Sequence, residues 1–266
     1  MHLQIAEQIQ QKTTRNGHGR LHNCLTAEWP AFYLGSVAPD INAISDIPRA
    51  DTHFYTLPPL PDNDAIPEML AAYPQLARPS QMNPSQALFI AAYSAHLLLD
   101  LIWLREVVVP FFVEADHLGS REQRRLTHFI LLTYLDTLAL DSLPDTAVTT
   151  LSHAQPQTWL PFAPDSVLIE WRDLLVGQLH PNAPIRTIEI YAGRLRMSTA
   201  EFQAALNDAA WMEAHIFNKL PVADIQQIIN SAAPRSIELI QNYLVNVHVI
   251  PAQAGIHTPG YPPLRV

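Results

Sequence analysis

The sequence predicts an all-α protein, and three observations support this prediction. Hydrophobic residues make up 48% of the chain and charged residues 15%, so most of its 266 residues should fold around a core. The chain has only 8 Gly against 23 Pro, which favours helices joined by proline-containing connections over a glycine-punctuated sheet. Apolar residues recur at helical spacing, and no alternation of apolar and polar residues is long enough to predict a strand.

The predicted helices follow from that spacing and from capping residues. They cover, in chain order, 2–12, 26–38, 65–76, a long stretch from 83–85 to about 114, 120–140, 164–178, 184–195, 199–217 and 221–247. Thr26 stands where an N-cap is expected, and Ser198 with Glu201 matches a capping box. Pro110 should bend the long helix near its end, and Pro234 should interrupt the last helix.

Connections are predicted where glycine, proline and polar residues replace the helical pattern. The predicted connections are 13–25, 56–64 and 144–163. From Val249 the chain is rich in proline and glycine and has no pattern, which is typical of a disordered tail. The sequence therefore predicts one helical domain over 1–248 and a disordered tail over 249–266, to which no function is assigned.

Charge and cysteine content exclude several classes of protein. A net charge of −9 argues against binding to long nucleic acids, because phosphate contacts need clustered Lys and Arg. Cys24 is the only cysteine, so any metal site must use nitrogen and oxygen ligands. The first residues contain no basic segment and no apolar run, and polar residues interrupt the apolar stretch over 87–113. We therefore expect a cytoplasmic location and no transmembrane segment.

His96 and Asp100 are the most informative pair of residues in the chain. They lie four positions apart in an apolar stretch, so a helix would place them on one face, one turn apart. Burying an imidazole and a carboxylate costs several kcal/mol unless a partner compensates for the lost hydration. A metal ion is the compensation that suits this pair best, so the pair predicts a metal site.

Three more residues could complete such a site. His2 opens the first predicted helix, and His53 lies just before the proline-rich connector. Asp40 follows Leu34–Pro39, a stretch in which glycine and proline would fix the backbone around the carboxylate. Each has an ordinary alternative, a helix cap for Asp40 and a solvated terminus for His2. Together with the first pair, however, they predict a centre of three His and two Asp.

Residues 1–115 resemble the bacterial zinc-dependent phospholipase C family, and in particular its short, unsecreted members. Four pieces occur in the family's order: His2 on an Ile-Ala-Glu helix, Leu34–Asp40, Thr52–Phe54 and Tyr93–Trp103. The resemblance implies a single multi-helix domain of the type that this family shares with fungal single-strand nucleases. It also implies metal-dependent hydrolysis of a phosphate ester.

The resemblance further implies a role for each candidate ligand. Asp40, His53, His96 and Asp100 would hold one ion, and Asp100 would bridge to a second ion that takes His2 as a ligand. Asp40 would also act in catalysis, either as the general base or by orienting the attacking water. Zinc is the expected metal, with one to three ions bound. The oxygen ligands would also admit Mn²⁺ or Fe²⁺.

The chain departs from the secreted members of that family at their third metal site. Those members carry a His six residues beyond the bridging Asp, where this chain has Glu106, and a downstream His paired with Glu or Asp. Here His128 and Asp136 lie eight positions apart on one helix, roughly 12 Å along its axis, so a single ion could hardly join both. Glu106, His128 and Asp136 are therefore second-tier candidates for binding a metal. The alternative is that they are ordinary surface charges or, for Glu106, that it pairs with Arg105.

Function is less well determined than the site. The substrate would be a small-molecule or lipid phosphoester, and the aromatic residues beside the ligands could line its pocket or belong to the core. Two other enzyme classes are disfavoured. An HD-type phosphohydrolase needs a His-Asp dipeptide, in that order, and the chain has none. A di-iron bundle needs two Glu-x-x-His motifs, and only Glu114–His117 occurs. The serious alternative is a non-catalytic helical protein with a structural metal site or a partner-binding role. The sequence leaves the oligomeric state open.

Overall fold

The computed structural model of the protein describes residues 1–15, 18–56, 64–180, 183 and 186–245. Those residues are 79% helical and contain no strand, so the all-α prediction is confirmed. The α-helices, numbered α1 to α13, are His2–Arg15, Gly19–Ala27, Trp29–Gly35, Arg49–His53, Ala65–Ala72, Pro84–Ile102, Arg121–Asp141, Ala147–Ser152, Asp165–Leu179, Arg186–Leu195, Thr199–Asn207, Ala209–Met212 and Val222–Val245. Short 3₁₀ segments lie at Ala38–Ala43, Pro74–Ala77, Pro79–Gln81 and Asp116–Leu118.

Helix α6 is the central helix of the core. Its N-cap is Asn83, whose side chain accepts a hydrogen bond from the backbone N–H of Gln86 at 2.8 Å. Beyond Ile102 it continues as a π-helix over Trp103–Val113, which contains Pro110. By length and composition alone the stretch Pro84–Val113 could cross a membrane, but 78% of its most apolar window is buried inside the protein.

Gly35 explains how closely α3 approaches α6. A Cβ atom added at this position would collide with the carbonyl oxygen of Phe89 and lie 2.9 Å from the Cβ of Ala92. Only glycine leaves room for this approach between the two backbones. The 3₁₀ segment Ala38–Ala43 follows directly, so the close contact brings Asp40 towards the buried face of α6.

Helix α1 carries its own apolar face into the core. Leu3, Ile5, Ala6 and Ile9 are buried, and this helix packs against α13. Burial of an Ile side chain contributes roughly 1.5–3 kcal/mol, so several such residues hold the helix firmly in place. The consequence for function is that His2, the first residue of α1, is fixed beside α6.

Two predicted loops are wrong because they contain short helices. Residues 13–25 were predicted as a connection, yet α2 begins at Gly19, and its Leu21 and Leu25 face the core one turn apart. The predicted loop over 144–163 contains α8, which buries Ala147 and Leu151. Both helices are too short to persist alone in water, so tertiary packing and not local sequence preference stabilises them.

Several predicted boundaries also need correction. The helix predicted over 26–38 is broken, and Thr26 is no N-cap because its hydroxyl donates to the carbonyl oxygen of His22 within α2. The helix predicted over 199–217 divides at Asp208, whose carboxylate caps α12. Pro234 lies inside α13 without interrupting it.

Other predictions at the helix ends are confirmed. Ser198 and Glu201 form the expected capping box at the start of α11. Most of the predicted connector over 56–64, and the whole predicted tail over 249–266, lie outside the described residues. The predicted division into a domain over 1–248 and a tail over 249–266 therefore stays a prediction.

Candidate metal centre

Five side chains from four separate elements meet at one place in the structure. They are His2 of α1, Asp40 of the 3₁₀ segment after α3, His53 at the end of α4, and His96 with Asp100 on α6. Two groups of three have their nitrogen and oxygen atoms within 4.8 Å of one another: His2, Asp40 and His96, and His53, His96 and Asp100. The structure thus brings together all five residues that the sequence predicts as ligands.

Distances within the cluster are suited to an ion between the side chains. His53 Nε2 lies 3.5 Å from Asp40 Oδ1 and 3.5 Å from Asp100 Oδ2. His96 Nε2 lies 3.9 Å from Asp40 Oδ2 and 3.9 Å from Asp100 Oδ1, and His2 Nε2 lies 3.5 Å from the same Asp100 oxygen. Ligands about 2.0–2.1 Å from a tetrahedral zinc ion lie roughly 3.4 Å from each other, close to these separations.

A hydrogen bond at Nδ1 of His96 determines which of the two ring nitrogens carries the proton. Nδ1 lies 2.9 Å from the carbonyl oxygen of Ser36, and a carbonyl oxygen can only accept, so Nδ1 donates. In the neutral imidazole, Nε2 therefore carries a lone pair that faces the carboxylates. This nitrogen is buried and has no hydrogen-bond partner. Orientation by a backbone carbonyl in this way is typical of histidines that bind metals.

The same reasoning holds for His53. Its Nδ1 lies 2.8 Å from the hydroxyl of Thr52, and that hydroxyl donates its own hydrogen to the carbonyl oxygen of Arg49 at 3.2 Å. The imidazole must therefore donate from Nδ1, which leaves a lone pair on Nε2, also buried and without a partner. Lone pairs that face carboxylates repel them unless a cation lies between, so the side chains of the cluster fit a divalent metal ion.

Burial keeps the imidazoles of His2 and His96 in the neutral form that binds metals. His2 stacks on His96 with ring centroids 3.6 Å apart and an interplanar angle of 8°. Desolvation, and then the neighbouring His96 ring, lower the pKa of His2 well below its ordinary value. Desolvation also lowers the pKa of His96, although Asp40 and Asp100 act in the opposite direction.

Asp40 is the most open member of the cluster. Its side chain is 45% exposed, whereas that of His53 is 1% exposed and that of Asp100 is 19% exposed. Desolvation alone would raise the pKa of Asp40, but the imidazoles of His96, His53 and His2 outweigh it and hold the pKa below its ordinary value. The residue therefore presents an ionised carboxylate at the open side of the cluster.

The three second-tier candidates lie in other surroundings. Glu106 is ion-paired with Arg235 at 2.6 Å, and Asp136 accepts from the α-amino group of Met1 at 2.9 Å. The His128 ring lies among Trp103 and two Phe side chains, where desolvation lowers its pKa to about 4. Among the described residues, no group that could hold a metal includes any of these three.

Sequence reasoning missed two residues that contact Asp100. Its Oδ2 accepts from Arg49 Nη2 at 3.1 Å and from the Tyr55 hydroxyl at 2.9 Å. Tyr55 is one of the aromatic residues beside the ligands in sequence, which the sequence assigns to a pocket or to the core, and no motif marks Arg49. A signal was present, because Arg49 precedes His53 by four residues and so shares its face of a helical turn.

The fold and the cluster together define a helical protein with a partly buried set of His and Asp that can hold a metal. A sequence model of the zinc-dependent phospholipase C family matches residues 1–181, well beyond the 1–115 on which the resemblance rests. The chain belongs to this family. All five clustered residues lie within the matched part. No curated protein and no solved structure gives a significant match to the chain.

Proposed function

We propose that the protein is a zinc-dependent hydrolase of small or lipid phosphate esters, with its reaction centre at the five-residue cluster. Membership of the family supports hydrolysis of a phosphoester with the help of zinc. The observation that carries the proposal is the pair of buried Nε2 atoms, on His53 and His96, which face two carboxylates without a hydrogen bond. The carboxylates distinguish these two histidines from His128, whose Nε2 also has no partner but whose ring lies among aromatic side chains.

Each ligand has a proposed place around the ions. Asp40, His53, His96 and Asp100 would hold one ion, and His2 together with Asp100 would hold another. Asp100 suits the bridging role because its two oxygens face different histidines, Oδ1 towards His2 and Oδ2 towards His53. An imidazole nitrogen can bind only one ion, so His96 belongs to a single site.

In the reaction, water adds to phosphorus and the bond from phosphorus to the ester oxygen breaks, which releases an alcohol. Zinc, when bound, polarises the phosphoryl oxygen and lowers the pKa of water towards neutrality. Asp40 is placed to accept a hydrogen bond from the attacking water, because it is ionised and lies at the open side of the cluster. The Ser36 carbonyl and the Thr52 hydroxyl keep His96 and His53 in the tautomer that the site requires.

A structural role for the metal is the second candidate, and one observation favours it. Glu106, at the position where secreted members have a third-site His, is engaged by Arg235 and is not part of the cluster. The residues for a third ion are therefore not assembled within the described part of the chain. A closed metal site without a free coordination position would stabilise the fold but would not catalyse a reaction.

One experiment separates the two candidates. Zinc-loaded protein, purified without an affinity tag, is assayed on bis(p-nitrophenyl) phosphate and on p-nitrophenyl phosphorylcholine, and the melting temperatures of wild type and His96→Ala are compared. The proposal predicts hydrolysis by the wild type that is lost in the variant. Absence of hydrolysis, together with a much lower melting temperature for His96→Ala, would establish the structural role instead.

A further inference from the structure

Arg49 places a positive charge at the edge of the candidate metal centre. It is the first residue of α4, one turn before His53. Its Nη2 donates to Asp100 Oδ2 and to the hydroxyl of Tyr55. This ion pair joins an arginine directly to a member of the cluster.

The guanidinium group is held at one end and open at the other. Its carbon lies 4.7 Å from the centroid of the Tyr55 ring, so the ring supports it from one face. Both hydrogen bonds use Nη2, whereas Nε and Nη1 make none with the described residues. The side chain is 36% exposed, which leaves these two nitrogens available to a bound molecule.

Tyr55 holds this arrangement from the buried side. It is only 4% exposed, and its hydroxyl donates to Asp100 Oδ2 while accepting from Arg49. Asp100 therefore has a neutral donor of its own and does not depend on the arginine for a hydrogen bond. Since a flexible arginine loses rotamer freedom on binding, fixing it in advance reduces the cost of each contact that it makes.

The positive charges at this site indicate which kind of molecule the open end of the Arg49 guanidinium group would bind. A zinc ion bound to Asp100 would lie a few ångströms from the guanidinium group, and two positive charges at that distance repel each other. An anion bound between the zinc ion and the guanidinium group would be attracted to both and would offset their repulsion. A phosphate group has the required charge and geometry, because its oxygens match the planar fork of a guanidinium group.

We propose that Arg49 is a substrate-binding residue whose guanidinium group binds the non-bridging oxygens of the phosphoester, and that Tyr55 is its positioning residue. The inference rests on the proposed function and deepens it by naming the group that recognises the phosphate. Inorganic phosphate shares the recognised chemistry, so it serves as the probe. A role for Arg49 limited to orienting Asp100 would act on the metal and not on phosphate.

The test compares wild type, Arg49→Gln, Arg49→Lys and Tyr55→Phe, with Arg235→Gln as the matched control. Arg235 is 44% exposed and also pairs with one carboxylate, but its partner lies outside the cluster. Zinc per chain is measured by elemental analysis, and phosphate binding to the zinc-loaded protein by calorimetry. Hydrolysis of bis(p-nitrophenyl) phosphate supplies KM, kcat and the inhibition constant of phosphate.

We expect Arg49→Gln to keep its zinc and to bind phosphate roughly tenfold to a hundredfold more weakly, as loss of a charge-assisted hydrogen bond predicts. Arg49→Lys should fall between this variant and wild type, because it keeps the charge but not the fork. Tyr55→Phe should show a smaller loss of the same kind, and the control should match wild type.

Two results would overturn the inference and leave the proposed function standing. One is a wild type that hydrolyses the ester while Arg49→Gln binds phosphate equally well. The other is loss of zinc from Arg49→Gln, which would assign the residue to orientation of Asp100. A zinc-loaded wild type that neither hydrolyses the ester nor binds phosphate would instead contradict the proposed function, and the inference with it.

Discussion

His96 is buried and His128 is half-buried, and each has a buried Nε2 atom without a hydrogen-bond partner. Around His96 lie two carboxylates and two further imidazoles, contributed by four elements of the fold. Around His128 lie aromatic rings, the nearest centroid being that of Phe112 at 4.9 Å. A buried Nε2 atom without a partner is thus not sufficient evidence for a metal site. The difference lies in the opposing negative charge, which is present only in the first region.

The largest expected effect comes from replacing Asp100, the carboxylate that is proposed to bind both ions near His96. Asp100→Ala should lose all bound zinc, and its hydrolytic activity should fall roughly a thousandfold or more, because several kcal/mol of transition-state stabilisation depend on the ion. His53→Ala should lose about one ion if Asp100 bridges two sites. Zinc per chain by elemental analysis checks both.

The control for that prediction is Glu106→Gln. Its carboxylate pairs with Arg235 and lies outside the cluster, so zinc content and activity should stay at the wild-type level. Loss of zinc from this variant would show that Glu106 binds the metal and would contradict the assignment of the metal to the five-residue cluster.

A second prediction concerns acid stability and separates the two histidines directly. Desolvation lowers the pKa of His128 to about 4 from its ordinary value of 6.5, so between these values the unfolded chain binds a proton that the folded chain does not. The stability that comes from keeping this residue neutral is present above pH 6.5 and is lost as the pH falls to about 4. This loss amounts to roughly 3 kcal/mol.

His128→Phe should remove that dependence. In urea unfolding of zinc-free protein at pH 7 and pH 4, wild type should lose roughly 3 kcal/mol more than the variant between the two conditions. The comparison cancels the contribution of the carboxylates, which titrate in both proteins. Equal losses would show that His128 is not held neutral by its aromatic surroundings.

A third, smaller effect concerns the close approach of α3 to α6. Gly35→Ala should lower the free energy of unfolding by roughly 1–3 kcal/mol, because the added methyl group collides with the backbone of α6 at Phe89. It should also weaken zinc binding, since Asp40 follows this helix. Chemical denaturation and a zinc titration measure the two effects.

Gly177→Ala provides the matched control, because an added Cβ would meet nothing within 4 Å. Within helix α9 this change should raise the stability by roughly 0.5–1 kcal/mol, as helix propensity predicts. A similar gain at Gly35 would show that the close contact does not limit the packing of α3.

Much of the site could be predicted from the sequence because its signals are local. His96 and Asp100 lie one helical turn apart, and Gly35 and Pro39 frame Asp40 within one short stretch. Helix α6 was equally predictable, since its apolar stretch is long and its N-cap residue is strong.

What could not be predicted depends on contacts between distant parts of the chain. Arg49 and Asp100 are separated by 51 positions, and Met1 and Asp136 by 135, so no local pattern shows that they meet. The short helices α2 and α8 were missed for a related reason. Their apolar residues form only one or two pairs at helical spacing, and burial against the core decides their structure.

The account depends most on a zinc ion held by nitrogen and oxygen from the five-residue cluster. X-ray absorption at the zinc edge, measured on untagged protein loaded with zinc and passed through gel filtration, tests this directly. We predict retained zinc with imidazole and carboxylate ligands at about 2.0–2.2 Å, and loss of that signal in Asp100→Ala. Protein that elutes without zinc, or zinc bound through the sulfur of Cys24, would contradict the account.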